Sequence, residues 1–529
     1  MPTLEWIGKS AVIAHHLEVP YRVLERRWSF DAAAGRQAAD NGSGNMVIRG
    51  DNLHALKSLL PRYAGRVKCI YIDPPYNTGN EGWVYNDNVN APQIKKWLGE
   101  VVGKEGEDLS RHDKWLCMMY PRLKLLHKLL AEDGVIFVSI DDIEVANLRL
   151  LMDEIFGKAS FIAQLVWKSR QNKDNRNVTN VSIDHEYVLC YGKKLRGCAR
   201  KVEQYKNPDN DPRGPWVSAN MVGLATADAR PNLHYELIDP NTGINYGKPA
   251  KGWRYDRNTM SRLINEGRVL WPPTPEGRPR KKQFLSELST EYTGYSSIIG
   301  ENIFTRDGTN EQVNIFGELC FDFPKSSDII RELLEQASEA DSIVLDSFAG
   351  SGSTAHAVLN MNKADGGNRR FILVEMEDYA ESITAERVQR VIAGYGEGKS
   401  AVAGTGGDFS FYELGEPLLF ADGNLNEAVG AARIREYVWH METGQPAMPD
   451  CSATHPHLLG VSNGAAYWFY YEPQQETVLN QDFLASLPLA LPERAERHIM
   501  YADTCALNAE QLERCRIQFK KIPRDIRRL

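Results

Sequence analysis

Paired cysteines, long apolar runs, internal repeats, low-complexity tracts and a phosphate-binding lysine loop are all missing from this chain of 529 residues. Its eight cysteines, at 69, 117, 190, 198, 320, 451, 505 and 515, include no Cys-x-x-Cys pair, which argues against a zinc site or a disulfide framework and for a reducing cytoplasm. No apolar stretch approaches the ~20 residues that a bilayer span needs. The start, Met1 to Trp6, lacks the basic residues and apolar centre of a secretory leader, so no membrane association is expected. His15 and His16 have no carboxylate or cysteine at ligand spacing, and no metal is expected there. Nor is there a net excess of positive charge: the balance is −8, which at first speaks against nucleic acid.

That average conceals a split. Between Lys168 and Lys282 there are 22 Lys and Arg against 12 Asp and Glu, a local +10. A basic middle in an acidic protein suits a surface that tracks phosphates, and equally an ordinary solvated face. The composition, 42% hydrophobic and 25% charged, is that of a soluble globular protein, and the length implies two to four domains.

Short β-branched runs alternate with helical spacing. Val67–Ile72 and Val135–Ile140 read as buried strands, with helices over Trp115–Leu130 and about Ile143–Phe156. Runs apolar on both faces, separated by helices, predict a parallel sheet covered on both sides. After a first segment, 1–45, whose residues 31–45 read as a loose connection, this α/β pattern fills 46–167. From 168 to 315 Asn, Pro, Gly, Trp and Tyr become frequent and basic residues cluster, as in an irregular, β-rich insertion. The α/β pattern returns over 316–400 with helices Asp328–Ser338 and Ser353–Asn362 and strands Ser342–Leu345 and Phe371–Glu375. A Gly-rich linker, 395–407, leads to a last region, 408–529, in which 497–502, 508–515 and 517–522 suggest strand, helix and strand.

Two motifs carry chemistry. Asp73-Pro74-Pro75-Tyr76 directly follows a strand, at the edge where open α/β sheets bind ligands. Two prolines stiffen the loop and leave carbonyls such as that of Pro74 without competing donors. An aromatic amino group is a poor nucleophile because its lone pair is delocalised. A carboxylate (Asp73) and a backbone carbonyl accepting its two N–H bonds would make it more tetrahedral and aim the lone pair at a methyl donor. A proline-rich turn with a capping Asp is the plainer alternative. The second motif runs from Val344 through Asp346-Ser347-Phe348-Ala349-Gly350-Ser351-Gly352-Ser353-Thr354, a strand entering a Gly-rich turn that opens a helix. Glu375, 25 residues after Gly350 and ending the next strand, is placed to bind ribose hydroxyls. Gly352-Ser353-Thr354 stands where a phosphate loop would have Gly-Lys-Ser/Thr, which disfavours a nucleoside triphosphate.

Asp-Pro-Pro-Tyr followed later by Asp-x-Phe-x-Gly-x-Gly resembles the DNA amino-methyltransferases, and the order of the two loops resembles their β class. Phe323-Pro324-Lys325-Ser326 matches a further cofactor motif of that class. The extended run Tyr71–Asn80, with Gly50-Asp51-Asn52-Leu53, Val138–Asp142 and His185-Glu186-Tyr187, resembles the modification subunits of type III restriction–modification systems. The resemblance covers the chain to about residue 415 well and the remainder loosely.

It implies a Rossmann-like S-adenosylmethionine-dependent methyltransferase sheet in two halves, 46–167 catalytic and 316–400 cofactor-binding. A target-recognition insertion (168–315) and a small C-terminal α/β domain (408–529) complete the expected fold. Asp73, Pro74, Pro75 and Tyr76 would form the catalytic loop, with Tyr76 stacked on an extruded base. Asp346, Phe348, Gly350, Gly352 and Thr354 would line the cofactor, with Glu375 on its ribose, Phe323 and Lys325 closing the far side and Asp51 at its edge. Contacts to duplex DNA are expected from Lys168, Arg170, Lys173, Arg176, Arg254 and Lys281, within the stretches Gly252–Tyr255 and Arg278–Lys282. The expected activity is methylation of adenine N6 in DNA. Cytosine N4, an RNA or protein substrate, and a silent specificity subunit for a nuclease are the alternatives. The resemblance also implies a homodimer and leaves open a restriction helicase–nuclease partner, which the sequence does not decide. Aromatic residues of 1–30 and 416–529 (Trp6, Trp28, Tyr437, Trp439, Trp468, Phe469, Tyr470, Tyr471) would form either the dimer interface or a small core.

Overall fold

The computed structural model describes residues 4–77, 111–173, 180–290, 292–420, 422–446, 448–488, 491, 493–523 and 526. The chain divides into two compact units: Met1–Leu195 with Ser296–Leu529, and Arg196–Tyr295.

The first unit is built on an eleven-stranded mixed sheet. In chain order its strands are β1 (Arg22–Asp31), β2 (Gly35–Gln37), β3 (Met46–Arg49), β4 (Val67–Ile72), β5 (Leu130–Ile140), β6 (Phe161–Trp167), β7 (Glu186–Gly192), β8 (Ile298–Ile299), β9 (Ile343–Asp346), β10 (Arg370–Glu375) and β11 (Asp408–Pro417). Across the sheet they run β8-β6-β7-β5-β4-β9-β10-β3-β11-β1-β2. The five central strands β5, β4, β9, β10 and β3 are mutually parallel, and β7 returns antiparallel to β5. The apolar runs read from sequence form the middle of the sheet: every residue of β9, and all but Lys68 of β4, is buried. Helices α1 (Asn52–Tyr63), α2 (Arg111–Leu129), α3 (Ser327–Ala337) and α4 (Ser353–Asp365) follow or connect these strands.

Three stretches differ from the sequence reading. Residues 31–45 are not wholly loose: β2 pairs with the end of β1, across a turn in which Asp31 Oδ1 accepts from the amides of Ala33 and Ala34 at 2.9 and 2.7 Å. β1 itself is anchored on β11, with Trp28 stacked on Phe411 at 5.0 Å. Part of the glycine-rich tract folds back on itself, Gly394–Tyr395 pairing with Val402–Ala403. The flanks of the 168–315 tract belong to the large sheet, through β7 and β8, because apolar Val188–Tyr191 is buried against β5.

The second unit, Arg196–Tyr295, has a three-stranded antiparallel sheet of Val269–Leu270, Arg280–Phe284 and Trp216–Asn220. Its small core gathers Met221, Tyr235, Leu237 and Trp253 with Met260 and Leu263 of helix Arg257–Asn265, whose N-terminus is capped by Asp256.

C-terminal to β11, strands Leu458–Ser462, Ala465–Phe469, Arg497–Ala502 and Ile517–Lys521 form a four-stranded sheet, the last two joined by helix Ala509–Arg514 as read from sequence. Trp6, Trp28, Tyr437, Trp439, Trp468, Phe469 and Tyr471 are all buried within the single chain, so these aromatics form core. Among the described residues no helix is long and apolar enough to cross a membrane, and no cluster of side chains is arranged to hold a metal.

Candidate active site

Parallel strands deliver their C-terminal ends to one edge, and that edge collects the acids. Asp73 follows β4, Asp346 ends β9 and Glu375 ends β10. β7 runs the other way, with Tyr187 opposite Ile140, so its first residue, Glu186, arrives at the same edge. Together they line a cavity of about 470 Å³ in the first unit, with Pro74, Pro75, Tyr76, Phe323, Lys325, Phe348, Gly350 and Thr354 also in its wall. Its volume is in the range of small-molecule sites.

The Asp73–Tyr76 loop is stapled from beneath. Trp115 Nε1 donates to the carbonyl of Pro75 at 2.6 Å, and buried Asn77, at φ 62°, donates from Nδ2 to Glu144 Oε1 at 2.5 Å. Pro74, between these anchors and Asp73, lines the cavity. Burial pushes the Asp73 carboxyl above its ordinary value, opposed chiefly by the Lys325 ammonium 3.5 Å from Oδ1.

The second loop is held by its own acid. Thr354 Oγ1 donates to Asp346 Oδ2 at 2.6 Å and the amide of Phe348 to Oδ1 at 3.0 Å, folding the turn over the end of β9. Glu375 accepts the amides of Gly350 (2.7 Å) and Glu377 (3.1 Å), one on each oxygen. Burial pushes both acids up to about 7. Fully buried Arg387 locks the turn from behind, donating to Ser351 Oγ, Ser353 Oγ and Glu311 Oε2 at 3.0, 2.9 and 2.7 Å.

Two expected cofactor residues stand off the cavity. Asp51 caps α1, accepting the amide of Leu53 at 2.7 Å and facing Arg122 at 3.6 Å; its neighbour Asn52 is the one in the wall. Gly352, at φ 84°, serves the turn: a Cβ there would sit 3.1 Å from the carbonyl of Thr384, on the protein side. Lys325 is in the wall but at the Asp73–Tyr76 loop. Its ammonium donates to Tyr76 Oη at 2.8 Å and Glu186 Oε2 at 2.7 Å, and lies over the Tyr76 ring at 4.8 Å.

Of the expected DNA contacts, Lys168, Arg170 and Lys173 are exposed in the first unit, Arg170 at the cavity rim. Arg254 is exposed in the second unit and Lys281 is half-buried over the Tyr255 ring at 5.5 Å. Arg176 lies outside the described residues. Trp253, in the stretch offered for DNA contact, is core instead, donating to the carbonyl of Tyr235 at 2.9 Å. Lys282 is equally unavailable, buried and paired with Asp209 and, at 3.0 Å, Asp211. His185 lines the cavity and its ring meets the Tyr187 hydroxyl at 2.8 Å.

Comparison with known proteins gives a consistent picture. A family model described as DNA methylase matches residues 67–386. The Mod subunit of the type III restriction-modification enzyme StyLTI from Salmonella typhimurium is 33% identical over 389 residues, 67% of this chain and 58% of that one. The EcoP15I Mod subunit from Escherichia coli is 28% identical over 432 residues, 71% of this chain and 64% of its own. The type II methyltransferase M.KpnI from Klebsiella pneumoniae is 33% identical over 367 residues, covering 66% and 84%. The chain therefore spans about three fifths of the length of those type III relatives.

Proposed function

The chain belongs to the DNA methylase family, and from that premise we propose that it transfers a methyl group from S-adenosylmethionine to the N6 amino group of adenine at a specific site in duplex DNA. One observation carries the reading. The Asp73–Tyr76 loop, the Asp346–Thr354 turn and Glu375, far apart in sequence, open into a single cavity.

The residues present fit the cofactor. Glu375 is an acid at the end of a strand beside a glycine turn, suited to ribose hydroxyls. Asp346 supplies negative charge beside it, for a methionine ammonium, and Phe348 and Phe323 supply apolar surface for a purine. S-adenosylmethionine supplies an electrophilic methyl group there. The chain's own task is to present the acceptor. A base within a duplex must be extruded, at a cost of a few kcal/mol. Tyr76 offers a ring for stacking. Asp73 and the Pro74 carbonyl accept the two N–H bonds of the amino group and orient its lone pair.

The tract 168–315 is the proposed reader of sequence, on its basicity and the exposure of Arg170 and Arg254. Adenine is preferred to cytosine because Asp-Pro-Pro-Tyr goes mostly with adenine in the resembling family. Partnership with a restriction subunit is proposed from the type III relatives, which are named as subunits. A homodimer is proposed from a division of tasks, one copy gripping the duplex and the other receiving the extruded base. The buried aromatics lend that assembly no support, so its interface would use other residues. Light scattering with and without DNA tests it: a mass near 59.6 kDa in both, at full activity, excludes the dimer.

The deciding experiment incubates purified protein and labelled methyl donor with separate duplex DNA, RNA and protein pools, then sequences the DNA for modified bases. N6-methyladenine at one sequence is expected. Asp73→Ala should lower the rate by ~10²–10³ while still binding the cofactor. Label in cytosine, RNA or protein, or none, overturns the assignment.

A further inference from the structure

Lys325 belongs by sequence to a cofactor motif, yet its ammonium touches the catalytic loop. Tyr76 Oη, Lys325 Nζ and Glu186 Oε2 form a closed triangle, with Tyr76 to Glu186 at 3.0 Å, Lys325 to Tyr76 at 2.8 Å and Lys325 to Glu186 at 2.7 Å. Asp73 Oδ1 stands 3.5 Å from the same nitrogen, and the Trp167 ring lies 5.6 Å from it. These residues come from four separate places: the loop after β4, the first residue of β7, the end of β6 and the turn before α3. A flexible lysine held by three polar partners and two rings has lost its freedom, and its charge is committed.

We propose that Lys325 and Glu186 are a positioning pair for the catalytic loop, Lys325 neutralising Asp73 and holding Tyr76 while Glu186 fixes Lys325. The inference rests on reading the cavity as a methyltransferase site. Two carboxylates share one ammonium, so removing either partner changes the field at Asp73 in opposite senses. Without Lys325, Asp73 faces Glu186 with no compensating charge and takes up a proton more readily; without the Glu186 charge, the ammonium acts on Asp73 alone. Burial, the largest influence, already raises the Asp73 carboxyl, Lys325 lowers it and Glu186 raises it. The other groups facing this cluster are the phenol of Tyr71 and the carboxyl of Asp346, while Asp141, Arg170, His185, Asp322, Glu375 and Glu377 line the same cavity. Asp73 accepts N–H bonds more strongly as a carboxylate than as a neutral acid, so methyl transfer falls on the acid side as Asp73 gains its proton.

The test is the pH profile of single-turnover methyl transfer to the protein's own DNA sequence, alongside calorimetric binding of S-adenosylmethionine. Lys325→Met should bind the cofactor as the parent does and move the acid limb upward by about 1–3 pH units. Lys325→Arg should leave the limb in place, and Glu186→Gln should move it downward. Damage to the fold would lower rates without shifting the two limbs in opposite directions. Unmoved limbs, limbs moving the same way, or an upward shift in Glu186→Gln overturn the proposal. So does a loss of cofactor affinity in Lys325→Met with an unmoved limb, which would return the lysine to the cofactor. Should Lys325→Met fail to fold, the direction of the Glu186→Gln shift decides. A parent protein that methylates no DNA overturns the reading of the site and this inference together. A parent that methylates, with variants that leave the limb unmoved, overturns the inference alone.

Discussion

Asp346 and Glu375 are carboxyls that burial has pushed up to about 7, in a cavity proposed to receive a cationic cofactor with ribose hydroxyls. Each is raised, so each is increasingly protonated as pH falls below that value. A neutral acid neither attracts an ammonium nor accepts hydroxyl hydrogen bonds as well as a carboxylate. Affinity for S-adenosylmethionine should therefore fall as pH drops through about 7, and binding near that pH should release protons. Calorimetry in buffers of different ionisation enthalpy measures the release directly. Binding that is independent of pH, with no proton exchanged, would remove these two acids from the cofactor's contacts.

Elements explain why so much of the site was legible. A parallel sheet brings strand ends to one edge, so three acids placed after or at the end of apolar runs (Asp73, Asp346, Glu375) could be grouped from sequence alone. Asp51 could not be separated from them, because a cap and a ligand look alike until the helix it caps is seen. Glu186 was in plain view within His185-Glu186-Tyr187, but its place depends on an antiparallel return that periodicity does not reveal. Arg387, 36 residues beyond Ser351, had no local signal at all. The same topology shapes a graft. Exchanging 168–315 with a relative would exchange β7, Glu186 and β8 as well, and so alter the large sheet and the site together with the insertion. Exchanging Arg196–Tyr295, the compact second unit, leaves the eleven-stranded sheet whole. If the insertion reads the target, that exchange should move the methylated sequence and preserve the rate, as sequencing of methylated DNA would reveal. A chimera that keeps the original site would place recognition outside 196–295.

At the scale of the whole molecule, the aromatic residues of the C-terminal region decide between core and interface. Trp439 and Trp468 are each 1% exposed in the single chain, which leaves no surface for a second copy to cover. Trp439 meets Tyr467 edge to face at 5.7 Å, and Trp468 donates from Nε1 to His498 Nδ1 at 3.1 Å. Truncating a buried tryptophan to alanine costs about 3–5 kcal/mol through lost transfer energy and the cavity left behind. An interface residue behaves differently: its loss weakens association, and the melting temperature then depends on protein concentration by mass action. Trp439→Ala and Trp468→Ala should thus lower the melting temperature by the same amount at every protein concentration and leave the mass in solution unchanged. Thermal melts over a wide dilution series, paired with light scattering, make the distinction. A variant that falls to a smaller mass while its melting temperature holds would show that the aromatic residues face a partner after all.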